Sequence, residues 1–279
     1  ILDKNKLVEI DETTDVDAIT TGKLENVTKY ENEYERQILE RDEENNDYKI
    51  IEIEGKGYSG YLVAIYDPSR IKTVVTAKLG TSGQYLTKMA KDNAVDLILA
   101  VGGGSVIDYA KGVAASAYCE TDAWKTYFLE QKDPTCKIIP VASILTMVGT
   151  GSEMNGGSVI TNHKEKLKIG KVFDDRLFPK FTILNPEYTF TVPQYQMVAG
   201  FFDIMSHIME QYFSNFDDNT TDYLAEGLMR SLIHSSLIAV KNPKDYEARS
   251  NIMWIATWAL NTLLKKGKNG DWIVHMIGQ

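Results

Sequence analysis

Cysteine, long apolar runs and surplus positive charge are all scarce in this sequence. Only Cys119 and Cys136 are cysteines among 279 residues, which argues against a disulfide-stapled secreted domain and favours a reducing cytoplasm. No apolar run of about 18 residues and no charged-then-apolar leader is present, so we expect neither a membrane span nor a signal peptide. The formal net charge is −9, and without a basic patch we expect no binding to nucleic acid or anionic membranes.

The composition changes twice along the chain and predicts three parts. Residues 1–91 are acidic; within them, residues 35–49 alternate in charge like a solvated helix or linker, and residues 48–78 alternate apolar and polar residues like a β-meander. Residues 92–185 place buried strands before helices, which indicates an α/β layer with a parallel sheet that binds a dinucleotide. Residues 186–279 have helical periodicity almost throughout. The predicted fold class is therefore α/β followed by all-α.

Two glycine-rich turns follow the two buried strands of the middle part. Gly102, Gly103, Gly104 and Ser105 would present backbone N–H groups at the N-terminus of the next helix, where the helix dipole also favours an anion such as a diphosphate. A tight structural turn explains this motif about equally well. The segment TGSE at 150–153 ends the next strand. Two small-residue turns at neighbouring strand ends make a phosphate cradle the better interpretation.

A carboxylate and an imidazole share one face of a predicted helix in the last part. Asp203 and His207 are four residues apart in FFDIMSHIMEQYF, so their side chains lie one turn from each other. They can chelate one cation or form a hydrogen-bonded pair, and the spacing does not decide between the two. His275 lies in a second apolar helix, where a buried imidazole needs a partner. These three residues are the candidate metal site.

Several segments together resemble the iron-containing alcohol dehydrogenases, especially their butanol-dehydrogenase-like branch. The stretches ILAVGGGSVIDYAKG, TGSEMNGGSVITN, LNPEYTFTVP, AGFFDIMSHIMEQYF and GDWIVHMIG follow one another in that family's order over residues 92–279. The resemblance implies a Rossmann-like parallel sheet followed by a helical metal-binding domain. It implies hydride transfer between NAD or NADP and a small primary alcohol or aldehyde.

The resemblance also assigns roles to individual residues. Asp203, His207 and His275 are implied as catalytic ligands of Fe²⁺ or Zn²⁺. The residues implied to line the dinucleotide cleft are Gly103, Gly104, Ser105, Asp108, Thr146, Thr150 and Lys166.

The chain departs from this family's pattern at both ends of the resemblance. The family has a fourth metal ligand, a histidine about 14 residues beyond the position of His275, whereas this sequence ends at Gln279. The strand and glycine loop that begin the family's dinucleotide site have no counterpart in residues 1–90. We therefore expect a weakened metal site and weak or undetectable aldehyde reduction by this chain alone. A second subunit, in a homodimer, is one source for the absent ligand.

Residues 47–95 resemble a different family, the front part of the phosphodiester glycosidases that uncover N-acetylglucosamine-1-phosphate diesters. The stretch IIEIEGKGYSGYLVAIYDPSRIKTVVTAK carries this likeness. It leaves two alternatives to the dehydrogenase: a glycosidase-like hydrolase, for which we identify no carboxylate pair, and a non-catalytic chimeric chain. Convergence of Asp203, His207 and His275 in space would discriminate between these functions.

Overall fold

A mixed seven-stranded sheet carries the first half of the fold. The computed structural model describes residues 35–42, 47–54, 58–64, 73–79, 83–214, 219–268, 270 and 272–278, and the statements below concern these residues. The strands of this sheet are β1 (Glu35–Asp42), β2 (Asp47–Glu54), β3 (Tyr58–Ala64), β4 (Thr73–Leu79), β5 (Ile98–Gly102), β6 (Val141–Leu145) and β9 (Thr182–Ile183). Their spatial order is β2-β1-β4-β3-β5-β6-β9. Strands β5, β6 and β9 are parallel, so their carboxyl ends lie at one edge.

The N-terminal strands differ from the sequence expectation in two ways. The charged stretch at 35–49 was expected as a helix or linker, but β1 occupies most of it and pairs antiparallel with both β2 and β4. The alternating charges do not determine whether this stretch is a helix or a strand. The backbone hydrogen bonds with the neighbouring strands β2 and β4 favour the strand. The order is also not a simple meander, because β1 and β4 lie between β2 and β3.

The described residues also form a separate hairpin and six α-helices. The hairpin consists of β7 (Gly157–Asn162) and β8 (Leu167–Val172). The helices are α1 (Gly83–Asp92), α2 (Gly104–Ser116), α3 (Gln194–Tyr212), α4 (Thr220–Lys241), α5 (Tyr246–Leu260) and α6 (Ile273–Gly278). Asn219 and Asp222 form a capping box at the start of α4, and Asp245 caps α5 by accepting from the N–H of Ala248. These caps satisfy N–H groups that the helix itself leaves unpaired.

The described residues contain two hydrophobic clusters, one in the α/β layer and one in the helical layer. The first surrounds α2, β5 and β6 and includes Ile107, Ala110 and Val141, all fully buried. The second lies among α3, α4 and α5. Val148, in the loop after β6, packs against both clusters. The α/β layer is therefore packed directly against the helical layer.

The fold class that the sequence predicts is confirmed: a parallel sheet layer precedes a helical region. The division at residues 92 and 186 stays a prediction, and residues 1–34 lie outside the described part of the chain. None of the helices described has the length and apolar character needed to cross a membrane.

Candidate functional site

The three residues of the candidate metal site converge. Asp203 and His207 lie one turn apart on α3, and α6 brings His275 to the same place. Oδ1 of Asp203 is 3.8 Å from Nε2 of His207 and 3.5 Å from Nε2 of His275. One ligand atom from each residue lies within 4.8 Å of the other two. The two imidazole rings are stacked, with centroids 4.5 Å apart.

The protonation of Asp203 and His207 suits cation binding. Burial lowers the pKa of His207 to about 4, so its imidazole is neutral near pH 7 and keeps a lone pair to donate. Burial alone would raise the pKa of Asp203, but contact with His275 and the charge of Lys168 outweigh it and lower the pKa. Nδ1 of His207 is buried without a hydrogen-bond partner among the described residues. A neutral imidazole beside a carboxylate is a suitable donor set for Fe²⁺ or Zn²⁺.

The glycine turn after β5 has an internal reason for its glycines. A Cβ on Gly104 would lie 2.1 Å from Oγ1 of Thr150, and one on Gly102 would lie 2.3 Å from the side chain of Val106. The turns after β5 and β6 therefore touch each other at Gly104, where a side chain would push them apart, whereas a side chain at Gly102 would collide with the first turn of α2. The expected reason, close approach of a ligand to the main chain, is not needed to explain these two glycines.

The same turn leaves the start of α2 open. Gly103 is the N-cap, and among the described residues no side chain hydrogen-bonds to the first N–H groups of α2. Ser105 is exposed at this end. An uncapped helix N-terminus at the carboxyl edge of parallel strands is suited to binding a phosphate.

The loop after β6 joins the two candidate sites. A Cβ on Gly149 would lie 3.1 Å from Oδ2 of Asp203, and a Cβ on Gly200 would lie 2.3 Å from the carbonyl oxygen of Val148. The loop thus lies directly on α3 beside the metal candidates. Thr146 and Thr150 belong to this loop; Thr146 is half-buried, and Oγ1 of Thr150 accepts from the N–H of Ser152 at 3.3 Å.

Asp108 and Lys166 are placed differently from the other implied cleft residues. Both carboxylate oxygens of Asp108 are used within the protein: Oδ1 accepts from Oγ of Ser152, and Oδ2 accepts from the N–H of Val159 at 2.9 Å. Lys166 is exposed in the β7–β8 turn, with a φ of 55°. A dinucleotide contact from either residue stays a prediction.

Two further residues act near the metal candidates and were missed from the sequence. Lys168, on β8, acts through its charge on Asp203 and helps to lower the pKa of that carboxyl. Glu210, on α3, forms a hydrogen bond with Nδ1 of His275. Glu210 follows Asp203 by seven residues and His207 by three, so helical periodicity alone places all three on one face.

Comparison with known proteins identifies two consecutive family matches. The model described as iron-containing alcohol dehydrogenase matches residues 80–186, and the one described as the C-terminal part of the Fe-containing alcohol dehydrogenase family matches residues 197–279. The first match begins at residue 80, twelve residues before the predicted boundary at residue 92. Residues 47–79 fall outside both matches, and their likeness to glycosidases stays a prediction.

Individual relatives agree with these matches. NADH-dependent butanol dehydrogenase A of Clostridium acetobutylicum is 42% identical over 219 residues, which are 76% of this chain and 54% of the relative. The NADPH-dependent aldehyde reductase YqhD of Escherichia coli is 39% identical over 199 residues, 68% of this chain and 50% of the relative. The crystal structure of NADH-dependent butanol dehydrogenase A from Thermotoga maritima superposes with a TM-score of 0.67 at 40% identity, covering 70% of this chain and 48% of that one.

The matched part of the chain accounts for about half the length of these relatives. Both family matches lie in sequence order, and together they include the glycine turns, Asp203, His207 and His275. The chain therefore belongs to the iron-containing alcohol dehydrogenase family.

Proposed function

We propose that this chain carries the cofactor-facing and metal-binding parts of an NAD(P)-dependent alcohol dehydrogenase that also reduces aldehydes. The observation that carries the proposal is the convergence of Asp203, His207 and His275 beside the loop that follows β6. The relatives named above include NADH-dependent butanol dehydrogenases and an NADPH-dependent aldehyde reductase. A small primary alcohol or aldehyde is accordingly the proposed substrate class.

The donor set fits a divalent cation, Fe²⁺ or Zn²⁺. One carboxylate and two imidazoles converge within 4.8 Å, and Nδ1 of buried His207 has no partner among the described residues. When bound, such a cation supplies Lewis acidity, which lowers the pKa of an alcohol and polarises an aldehyde carbonyl. Asp203, His207 and His275 would hold it at the surface of α3 that faces the loop after β6.

The start of α2 fits the diphosphate of a nicotinamide dinucleotide. The N–H groups of Gly104 and Ser105 lie at an N-terminus that no side chain caps in the described part of the chain, and the helix dipole favours an anion there. Contact between Gly104 and Thr150 fixes this turn against the loop after β6. The same loop lies against Asp203, so the two proposed binding positions would be side by side, as a hydride transfer requires.

Metal and dinucleotide binding test this proposal separately from turnover. The purified chain should bind Zn²⁺ in competition with a chromophoric chelator, and His207→Ala should abolish that binding. Addition of the chain should change NADH or NADPH fluorescence saturably. Retention of zinc by His207→Ala would refute the metal site, and absence of any fluorescence response would refute the dinucleotide site.

Turnover is measured as oxidation of NADH or NADPH at 340 nm with butanal and added Zn²⁺ or Fe²⁺. Turnover by the unaltered chain should exceed that of His207→Ala, because the variant would lack one of the three proposed ligands of the cation that polarises the carbonyl. The proposed homodimer is tested by sedimentation of the same sample. Strong turnover by a monomer would show that three ligands from this chain are sufficient.

A further inference from the structure

Glu210 connects α6 to α3 through both of its carboxylate oxygens. Oε1 accepts from Nδ1 of His275 and from Oγ of Ser206, the latter at 3.3 Å. Oε2 accepts from the backbone N–H of Val274 at 3.1 Å. The Glu210 side chain is only 6% exposed. A carboxylate withdrawn from water to this extent requires such partners.

Apolar packing contributes little to the position of α6. Ile273, Val274 and Met276 are 53%, 59% and 68% exposed. The ring of His275 stacks on His207 and meets Trp272 edge-on at 5.7 Å between centroids. Stacking does not determine which ring nitrogen of His275 faces Asp203. Within the described residues, the hydrogen bond between Nδ1 and Glu210 does so, because it leaves Nε2 on the side of Asp203.

We propose that Glu210 is the positioning residue of His275. It keeps the proton on Nδ1, so the lone pair of Nε2 points toward Asp203 and the cation site. This inference rests on the proposed function, since it concerns the site in which His275 would be a ligand. A carboxylate behind an imidazole fixes the ring orientation and raises its basicity, and loss of such a partner lowers metal affinity by about 10- to 100-fold.

The first test uses Zn²⁺ alone as the probe. Glu210→Gln keeps the size of the side chain but removes its charge, and we expect zinc affinity to fall by about 10- to 100-fold. The matched control is Glu226→Gln on α4, which alters a carboxylate that accepts from Tyr212 at 3.0 Å and should leave zinc affinity unchanged. Circular dichroism of both variants checks that the helices are retained. Equal zinc affinity of Glu210→Gln and the unaltered chain would overturn the proposal.

The second test reads the tautomer directly and needs no metal. Long-range ¹H–¹⁵N spectra, assigned with His275→Ala and recorded at a pH where the ring is neutral, should show the Nδ1–H tautomer in the unaltered chain. In Glu210→Gln the Nε2–H tautomer should gain population. An Nε2–H tautomer in the unaltered chain would refute the proposal even if the variant failed to fold. If the unaltered chain has this tautomer as expected but binds no zinc, the proposed function fails while the effect of Glu210 on the ring stands.

Discussion

Nε2 of His275 lies 3.5 Å from Oδ1 of Asp203, although the two residues come from α6 and α3. This contact turns a pair of residues on one helix into a three-residue site. Contact with His275 helps to lower the pKa of the Asp203 carboxyl against the opposing effect of burial. The carboxylate thus remains charged and available to a cation over the neutral pH range.

Asp203→Asn should therefore weaken zinc binding by at least about tenfold, since the variant loses the only anionic ligand of the three. Thermal stability without metal should change little, because 35% of the Asp203 side chain is exposed. Chelator competition measures the affinity. Asp133→Asn is the control, because Asp133 is an exposed partner of Lys171 in the first layer. Unchanged zinc affinity in Asp203→Asn would contradict the assignment.

Gly104→Ala should destabilise the protein by about 1–3 kcal/mol, since the added methyl overlaps the side chain of Thr150. Dinucleotide affinity should fall with it, because the turn that presents the N–H groups of α2 must shift. Gly227→Ala is the opposite case: Gly227 lies inside α4, and no atom of the described residues lies within 4 Å of an added Cβ, so the change should stabilise the protein by about 0.5–1 kcal/mol. Urea unfolding and NADH fluorescence measure both variants. Equal stability of the two variants would disprove the packing argument.

The sequence predicts helical neighbours better than contacts between distant segments. The spacing of Asp203 and His207 follows directly from the helical repeat, whereas the position of His275 depends on how α6 packs. The conformation of residues 35–42 depends in the same way on pairing with β2 and β4. Tertiary contacts, which a local pattern does not contain, decide both.

The glycines show a second limit of prediction from sequence, which concerns the reason for a residue and not its position. The motif predicts an unusual turn correctly, but several interactions can require the same glycine. At Gly104 the structure shows one of them, the side chain of Thr150. Asp108 is a similar case, since the resemblance implies a ligand contact while the structure shows Ser152 and Val159 as its partners.

Thr257→Val should destabilise the packing between the two layers by about 1–3 kcal/mol, because it leaves a buried carboxyl without its donor. Oγ1 of Thr257, on α5, donates to Oε1 of Glu153 at 2.7 Å. Thr257→Ser retains the hydroxyl and should lose clearly less stability. The free energy of unfolding in urea distinguishes them. If both variants lost the same amount, the hydrogen bond would not be the cause.

The pH dependence of this loss follows from the pKa of Glu153, which burial raises against the opposing hydrogen bond from Thr257. The folded-state pKa of Glu153 is above its unfolded-state pKa, so between these two values the folded state binds more protons than the unfolded state. The free energy of unfolding therefore falls as the pH rises from the unfolded-state pKa to the folded-state pKa. Removing the hydrogen bond to the charged form raises the folded-state pKa further. The stability deficit of Thr257→Val should therefore be larger at pH 7 than at pH 4. A deficit independent of pH would contradict this account.

Lys111 is fully buried. Its ammonium is hydrogen-bonded to four acceptors: Oγ and the carbonyl of Ser152, Oδ1 of Asn155 and the carbonyl of Gly157. Burial lowers its pKa from 10.5 to about 8, although the charges of Asp108 and Glu153 oppose this shift. Between those two values the unfolded chain binds more protons than the folded one. The contribution of Lys111 therefore makes stability rise with pH in this window, with a slope of at most about 1.4 kcal/mol per pH unit.

Lys111→Met should remove this slope and destabilise the protein by about 3–5 kcal/mol, because it removes the buried cation that pairs with the charges of Asp108 and Glu153. Lys132→Met is the control, since Lys132 is 67% exposed and pairs with Glu130 at the surface; its stability should rise with pH as in the unaltered chain. The measurement is the free energy of unfolding in urea at intervals from pH 8 to pH 10. Identical pH slopes in Lys111→Met and the unaltered chain would show that Lys111 keeps its proton throughout this range. The Asp108 and Glu153 charges would then outweigh its burial.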